Sequence, residues 1–107
     1  MCDTAFPGLG HVYKADYGDP AFRVQFDTEG KTLRWAPFDA EDFETAATTE
    51  TYRATYIRPG VFMMTWQEAD GITVTHVEDF ENAIVHGAIT MPDKTFLTLK
   101  GDWLRLD

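Results

Sequence analysis

The sequence predicts an all-β protein, an antiparallel up-and-down β-barrel of eight or nine strands. Short segments rich in β-branched and aromatic residues recur along the chain. Turns built from Gly, Pro, Asn and Asp separate these segments at short intervals, which favours antiparallel pairing of neighbours. Closure of such a meander into a barrel leaves no exposed strand edge, whereas a sandwich is the alternative architecture.

The predicted strands follow one another with one long interruption. They cover residues 11–17, 21–27, 31–36, 51–57, 61–68, 72–80, 83–90, 95–100 and 102–106. The interruption, Pro37 to Thr49, is acidic and alanine-rich. Asp39 is suited to cap a short helix near residues 39–47, with Glu41 and Asp42 in its first turn. We expect this segment to cover one mouth of the barrel.

Composition limits the classes of partner and compartment. At 107 residues the chain predicts one domain, 1–107. Its net charge of −9 repels phosphates and anionic membranes, so neither nucleic acid nor membrane is an expected partner. No apolar run reaches the roughly 20 residues that span a bilayer, and no leader peptide is evident. A single cysteine, Cys2, cannot form an internal disulfide, which predicts a cytoplasmic location.

The segment from Val61 to Phe80 predicts a β-hairpin with polar residues on its apolar face. Residues of one parity share one face of a strand. A two-residue loop would separate the apolar faces of the two strands. A three-residue loop, Ala69-Asp70-Gly71, joins them and gives Gly71 a left-handed position. This register places Glu68, His76 and Glu78 inside with Trp66.

The facing of neighbouring residues follows from the other loops. A three-residue loop after Ile57 pairs Tyr56 with Phe62 and places Tyr52 and Tyr56 inside. His86 faces Glu78 if residues 81–83 form the loop, and faces outward in the alternative register. Arg34 is equally open, because Gly30 favours an inward register and the match of Phe26 with Leu33 favours an outward one.

An inward carboxyl group is costly unless it is paired or functional, and burial favours its protonated form. Glu68 is therefore a candidate general acid, with Arg34 as a candidate counter-ion. Tyr13, Tyr17, Tyr52 and Tyr56 are candidates to orient a substrate. His76, Glu78 and His86 have loose spacing for a two-histidine, one-carboxylate set, so no metal site is predicted. A polar cluster satisfied within the barrel is the structural alternative.

Several motifs of known chemistry do not occur in the sequence. It contains no glycine-rich phosphate loop, no G-x-S-x-G elbow, no CxxC pair and no HExxH. A nucleotide- or zinc-dependent hydrolase is therefore not predicted.

Two runs resemble a known family. Trp66-Gln67-Glu68-x-x-Gly71-x-x-Val74, followed by Val77-Glu78-Asp79-Phe80 and Asn82, is similar to the MoaF-like family of small calycin-type, lipocalin-like barrels. Phe26, Gly30 to Leu33, and Tyr52 to Gly60 also fit that pattern. The resemblance extends from about Gly10 to Leu106 and implies the barrel fold. It does not imply molybdenum binding.

The same hairpin is more distantly similar to that of bacterial phenolic acid decarboxylases, which are cofactor-free lyases. Their Trp-Thr-Glu-Pro-Thr-Gly turn places the acid at Glu68. Their interior Arg corresponds to Arg34, and the first of their two tyrosines to Tyr13. The second tyrosine corresponds to Ala15, the turn Pro to Ala69, and the extensions of those enzymes are lacking here. The resemblance therefore implies the barrel and an interior Arg–Glu–Tyr site.

These observations predict a barrel that binds a small aromatic or acidic organic molecule without a cofactor. The alternatives are a cofactor-free lyase or isomerase and a structural protein with a filled barrel. Glu68, Arg34 and Tyr13 would be catalytic, and whether the protein is an enzyme stays open. A homodimer through outward Val61 and Met63 is a further hypothesis. The expected ligand-binding residues are Tyr17, Tyr52, Tyr56, Trp66, His76, Glu78 and His86.

Overall fold

Nine antiparallel strands and one short helix form the fold in the computed structural model, which describes residues 5–107. Cys2 lies outside the described residues. Within them, no helix is both long and apolar enough to cross a membrane. The elements are β1 (Val12–Asp16), β2 (Ala21–Phe26), β3 (Thr32–Pro37), α1 (Phe43–Ala46), β4 (Thr48–Thr51), β5 (Arg53–Arg58), β6 (Val61–Gln67), β7 (Thr73–Asp79), β8 (Ile84–Thr90) and β9 (Phe96–Arg105).

The sheet curls into a nearly closed barrel, which confirms the predicted fold class. Its strand order is β4-β3-β2-β1-β9-β8-β7-β6-β5, and every pair is antiparallel. The two end strands, β4 and β5, are consecutive in the chain. The chain changes its pairing partner from β3 to β6 at Tyr52, so the two ends of the sheet meet there. One nearly continuous stretch of chain thus closes the barrel.

Two predicted strand assignments were wrong. β4 begins in the segment that the sequence assigned to a helix or loop and ends in the predicted strand 51–57. The last two predicted strands form one continuous strand, β9, which runs through Gly101. A side chain at Gly101 would collide with the Asp16 carbonyl oxygen of β1, so this glycine allows close strand approach and does not mark a turn.

The predicted short helix is confirmed, but its cap and its position differ from the expectation. Asp42, and not Asp39, is the N-cap, and its carboxylate accepts a hydrogen bond from the Glu44 N–H. The Glu44 carboxylate lies 2.8 Å from the Arg34 guanidinium of β3. Because Arg34 points away from the barrel interior, α1 packs on the outside of β3 and does not cover a mouth.

The predicted register of the central hairpin is confirmed. Met64 pairs with His76 and Trp66 with Val74, and Gly71 adopts a φ of +97° in the loop. Tyr56 pairs with Phe62, also as predicted, although the register shifts beyond that pair.

The sequence left the register of two hairpins undecided, and in both of them the polar residue in question points outside the barrel. Phe26 pairs with Leu33, which turns Arg34 outward, and Glu78 pairs with Val85, which turns His86 outward. In each case an aspartate at the end of the first strand organises a longer loop. Asp27 accepts hydrogen bonds from three consecutive loop N–H groups, and Asp79 accepts from two. In these two loops Gly30 and Ala83 adopt a positive φ.

Aromatic side chains fill one end of the barrel. Phe26 is 2% exposed, and its ring lies 5.0 Å from that of Phe6. The rings of Tyr13 and Trp103 stack at 4.7 Å. Offset and edge-to-face contacts of this kind add to the stabilisation from burial. The same cluster includes Tyr52, Phe62 and Phe80.

Candidate functional site

A cavity of about 290 Å³ occupies the opposite end of the barrel. It lies where the β1–β2, β6–β7 and β8–β9 connections meet. Its walls are almost entirely apolar, and three polar side chains reach it: Tyr17, Glu68 and His76. The apolar walls include Phe22, Trp35, Trp66, Val74, Ile89 and Leu99. An apolar cavity with a few convergent polar groups is the usual form of a small-molecule site.

Glu68 lies just after β6, where the three-residue loop begins. Its backbone N–H donates to the Ile72 carbonyl at 2.7 Å, and its carboxylate accepts from the Trp66 indole N–H at 3.0 Å. Partial burial raises the pKa of Glu68, and the Trp66 hydrogen bond opposes that shift. The charge of Glu50 raises the pKa of Glu68 further. Glu68 therefore holds its proton at a higher pH than an exposed glutamate.

Glu50 is a buried polar residue that sequence reasoning missed. It lies on β4, is 6% exposed, and accepts a hydrogen bond from the Trp35 indole N–H at 3.1 Å. The indole-to-carboxylate hydrogen bond of Trp35 with Glu50 thus repeats that of Trp66 with Glu68, on the other side of the point where the two ends of the sheet meet. The available signal was the composition of Thr48-Thr49-Glu50-Thr51, where three β-branched residues flank one carboxylate.

Tyr17, His76 and Glu78 form a hydrogen-bonded chain that leads from the cavity into the core. The Tyr17 hydroxyl lies 3.0 Å from His76 Nε2, and His76 Nδ1 lies 3.2 Å from Glu78 Oε2. Glu78 is fully buried, and burial raises its pKa. The pKa of Tyr17 is likewise raised by burial and by the Glu78 charge.

A glycine of β8 makes room for this chain. Gly87 pairs with His76, and a Cβ at Gly87 would lie 2.9 Å from the Tyr17 hydroxyl oxygen and 3.5 Å from His76 Cδ2. Only a residue without a side chain allows Tyr17 to reach His76 along this path.

The structure brings together four of the predicted site residues at the cavity: Tyr17, Trp66, Glu68 and His76. Glu78 lies behind His76 as its hydrogen-bond partner. The tyrosines predicted beside them are elsewhere. Tyr13 is stacked on Trp103 in the filled end, and Tyr52 packs against Phe26 there. Tyr56 packs against Phe62 and does not line the cavity.

Arg34 and His86 are corrections to the expected site. Arg34 hydrogen-bonds to Gln25 and to Glu44 on the outer face of the barrel, so it cannot be a counter-ion for Glu68. His86 is exposed and pairs with Val77. Because His86 faces outward, His76, Glu78 and His86 do not form a two-histidine, one-carboxylate set. No group of three possible metal-ligating residues converges anywhere in residues 5–107.

Val61, which was expected on the outward face of β6, is only 7% exposed because other residues of the same chain cover it. The outward face therefore offers less apolar surface for a dimer than expected. The homodimer stays a prediction.

These observations define a β-barrel whose interior is filled with side chains at one end and hollow at the other. The chain belongs to the MoaF-like family, whose model matches residues 9–104. No curated protein is significantly similar to the chain in sequence. One similar solved structure is that of a candidate β-lactamase from Burkholderia vietnamiensis. Its TM-score is 0.85, with 23% identity, over 97% of this chain and 100% of that chain. At this identity the similarity shows a shared fold.

Proposed function

We propose that the barrel binds a small aromatic molecule bearing a hydrogen-bond donor, such as a phenol or an aromatic amine. The observation that carries this proposal is the apolar cavity of about 290 Å³ with Glu68 at its edge. Ligand pockets usually begin near about 300 Å³, and a cavity of about 150 Å³ is enough for benzene. The size suits a ligand of one or two rings, and the faces of Trp35, Trp66 and Phe22 suit its aromatic body.

The hydrogen-bonding groups around the cavity favour a donor on the ligand. The indole N–H groups of Trp35 and Trp66 already donate to Glu50 and Glu68. The Glu68 carboxyl group retains further acceptor capacity. No lysine or arginine is among the described residues that line the cavity. An acidic ligand, the other class expected from the sequence, would meet a carboxyl group there without a compensating cation.

The lyase alternative receives less support. It required Arg34 and Tyr13 as an anion clamp beside Glu68, and neither lines the cavity. The β-lactamase description of the structural neighbour is not carried over either, because this chain contains no serine to act as an acyl-enzyme nucleophile.

The proposal is tested by thermal shift and native mass spectrometry with p-cresol, benzylamine, toluene and benzoate. We expect p-cresol and benzylamine to raise the melting temperature more than toluene, and benzoate to have no effect. Glu68→Gln should weaken benzylamine binding by about tenfold or more, because a charge-assisted hydrogen bond is lost.

A matched pair of tryptophan substitutions locates the site. Ile89 lines the cavity, whereas Ile57 is 50% exposed on β5. Ile89→Trp should fill the cavity and abolish the ligand-induced shift, and Ile57→Trp should leave it intact. Equal shifts in both variants, or a preference for benzoate, would contradict the proposal.

A further inference from the structure

The His76–Glu78 pair is a buried acid–base pair at the base of the cavity. Both residues lie on the inner face of β7, at 5% and 0% exposure. One Glu78 oxygen contacts His76 Nδ1, and the other, Oε1, has no hydrogen-bond partner among the described residues. A carboxylate with one unsatisfied buried oxygen is poorly stabilised in its charged form. The pair is therefore suited to exchange a proton.

The direction of the hydrogen bonds follows from the number of protons on this pair. With Glu78 ionised and His76 neutral, the single imidazole hydrogen must be on Nδ1 to bond the carboxylate. His76 Nε2 is then an acceptor, and the Tyr17 O–H donates to it. Tyr17 has no hydrogen left for a ligand, and its oxygen offers lone pairs alone.

One added proton reverses the chain when it lies between the two residues, on Glu78 Oε2 or on His76. If Glu78 Oε2 holds it, the carboxylic O–H donates to Nδ1, and the imidazole hydrogen moves to Nε2. If His76 holds it, both ring nitrogens carry hydrogen. In both cases Nε2–H donates to the Tyr17 oxygen, and the Tyr17 O–H becomes free to donate. The result is the same whether the proton between the two residues lies on Glu78 Oε2 or on His76.

We propose that Tyr17, His76 and Glu78 act as a relay in which one proton on the His76–Glu78 pair sets the hydrogen-bond polarity of the cavity. Without that proton the relay selects a ligand group that donates, such as a hydroxyl or amine. With it, the relay selects a group that accepts, such as a ketone or aldehyde carbonyl. This inference rests on the proposed function, since the ligand concerned is the one in the same cavity.

Few other ionisable side chains lie close to His76 and Glu78. The residues opposite His76 and Glu78 on β6 and β8 are Met64, Phe62, Gly87 and Val85, none of which ionises. From β9, the neutral Trp103 faces His76. The ionisable groups that remain are the relay member Tyr17, Tyr13 on β1, Tyr52 between β4 and β5, Glu68 beyond Trp66, and Glu50 bonded to Trp35.

The tyrosines stay neutral in the relevant range. Burial raises the pKa of Tyr13 and of Tyr17, and it raises that of Tyr52 to about 12. Burial also raises the pKa of Glu78. Glu68 is the carboxyl group that lines the cavity itself, and the Glu68→Gln variant removes it from the experiment.

The first arm of the test needs no ligand. In ¹⁵N-histidine-labelled Glu68→Gln protein, NMR follows the ring nitrogens of His76 from pH 5 to pH 9. We expect Nε2 to be unprotonated at the upper end and to gain a hydrogen as the pH falls. An Nε2 that carries hydrogen throughout the range in which the protein is folded would overturn the relay.

The second arm measures ligand polarity with acetophenone, which can only accept a hydrogen bond, and p-cresol, which can donate or accept. We expect acetophenone to bind about tenfold more tightly at a pH where His76 Nε2 carries hydrogen, and p-cresol to change less. Tyr17→Phe should abolish the pH dependence. Tyr13→Phe, a matched loss of a buried phenol outside the cavity, should retain it.

The two arms separate the two proposals. Acetophenone affinity that is independent of pH while Nε2 gains its hydrogen would overturn the relay. Failure of both probes to bind the unsubstituted protein, with Nε2 gaining its hydrogen as expected, would overturn the cavity function.

Discussion

At the scale of single residues, the hydroxyl groups of the partly buried Tyr17 and the buried Tyr52 have different surroundings. The Tyr17 hydroxyl bonds to His76 Nε2 at 3.0 Å. The Tyr52 hydroxyl is buried and has no hydrogen-bond partner among residues 5–107. A buried hydroxyl that makes its bond stabilises the fold modestly, whereas one without a partner retains only its desolvation cost. The Tyr17 hydroxyl should therefore raise the free energy of unfolding, and the Tyr52 hydroxyl should lower it.

We predict that Tyr17→Phe lowers the free energy of unfolding by about 1 kcal/mol. Tyr52→Phe should leave it unchanged or raise it, because an unsatisfied polar group is removed from the aromatic cluster. Urea unfolding of both variants measures the difference. A larger loss from Tyr52→Phe than from Tyr17→Phe would refute this interpretation of the two hydroxyls.

At the scale of elements, β8 shows how one strand serves two purposes. Its inward residue Gly87 gives Tyr17 room, and its outward neighbour His86 contacts solvent. The relay therefore depends on three elements at once: the end of β1, the middle of β7 and a gap in β8. A substitution in β8 that closes the gap should disturb the relay without touching its members.

We predict that Gly87→Ala forces Tyr17 away from His76 and costs about 1–3 kcal/mol, as overpacking commonly does. The control is His86→Ala on the opposite face of the strand, which should change stability by no more than about 0.5 kcal/mol. The His76 ring nitrogen signals should shift in Gly87→Ala protein alone. Unchanged His76 signals in that variant would show that the gap does not hold Tyr17 in place.

β4 illustrates what local patterns miss. The run Pro37 to Thr49 is acidic and rich in alanine, and its composition conceals a four-residue strand that begins at Thr48. β4 is stabilised by pairing with β3 and by closure of the barrel at Tyr52, and such long-range pairing leaves little trace in a short sequence window. Glu50 was missed for the same reason.

At the scale of the whole molecule, the interior is divided into a filled end and a hollow end. Phe26, on β2, packs among Phe6, Tyr13, Tyr52 and Trp103. Phe22 lies four residues earlier on the same face of the same strand and lines the cavity. β2 thus places one phenylalanine in a close-packed environment and another beside the cavity.

We predict that Phe26→Ala destabilises the protein by about 3–5 kcal/mol, the usual cost of truncating a fully packed phenylalanine. Phe22→Ala should cost clearly less, because part of its surface already faces the cavity, and it should admit larger ligands. Thermal unfolding with and without p-cresol measures both effects. Similar losses in stability for the two variants would argue against the hollow end.

The sequence by itself determined the all-β class, the antiparallel order and the register of the central hairpin. These follow from side-chain alternation and turn chemistry, which act between residues close in the chain. The facing of Arg34 and His86 was in principle readable from Asp27 and Asp79, which end their strands and organise longer loops. Tertiary structure alone decided which inward residues reach the cavity. That choice depends on packing between strands distant in sequence: aromatic rings fill one end, and Gly87 lets Tyr17 meet His76 at the other.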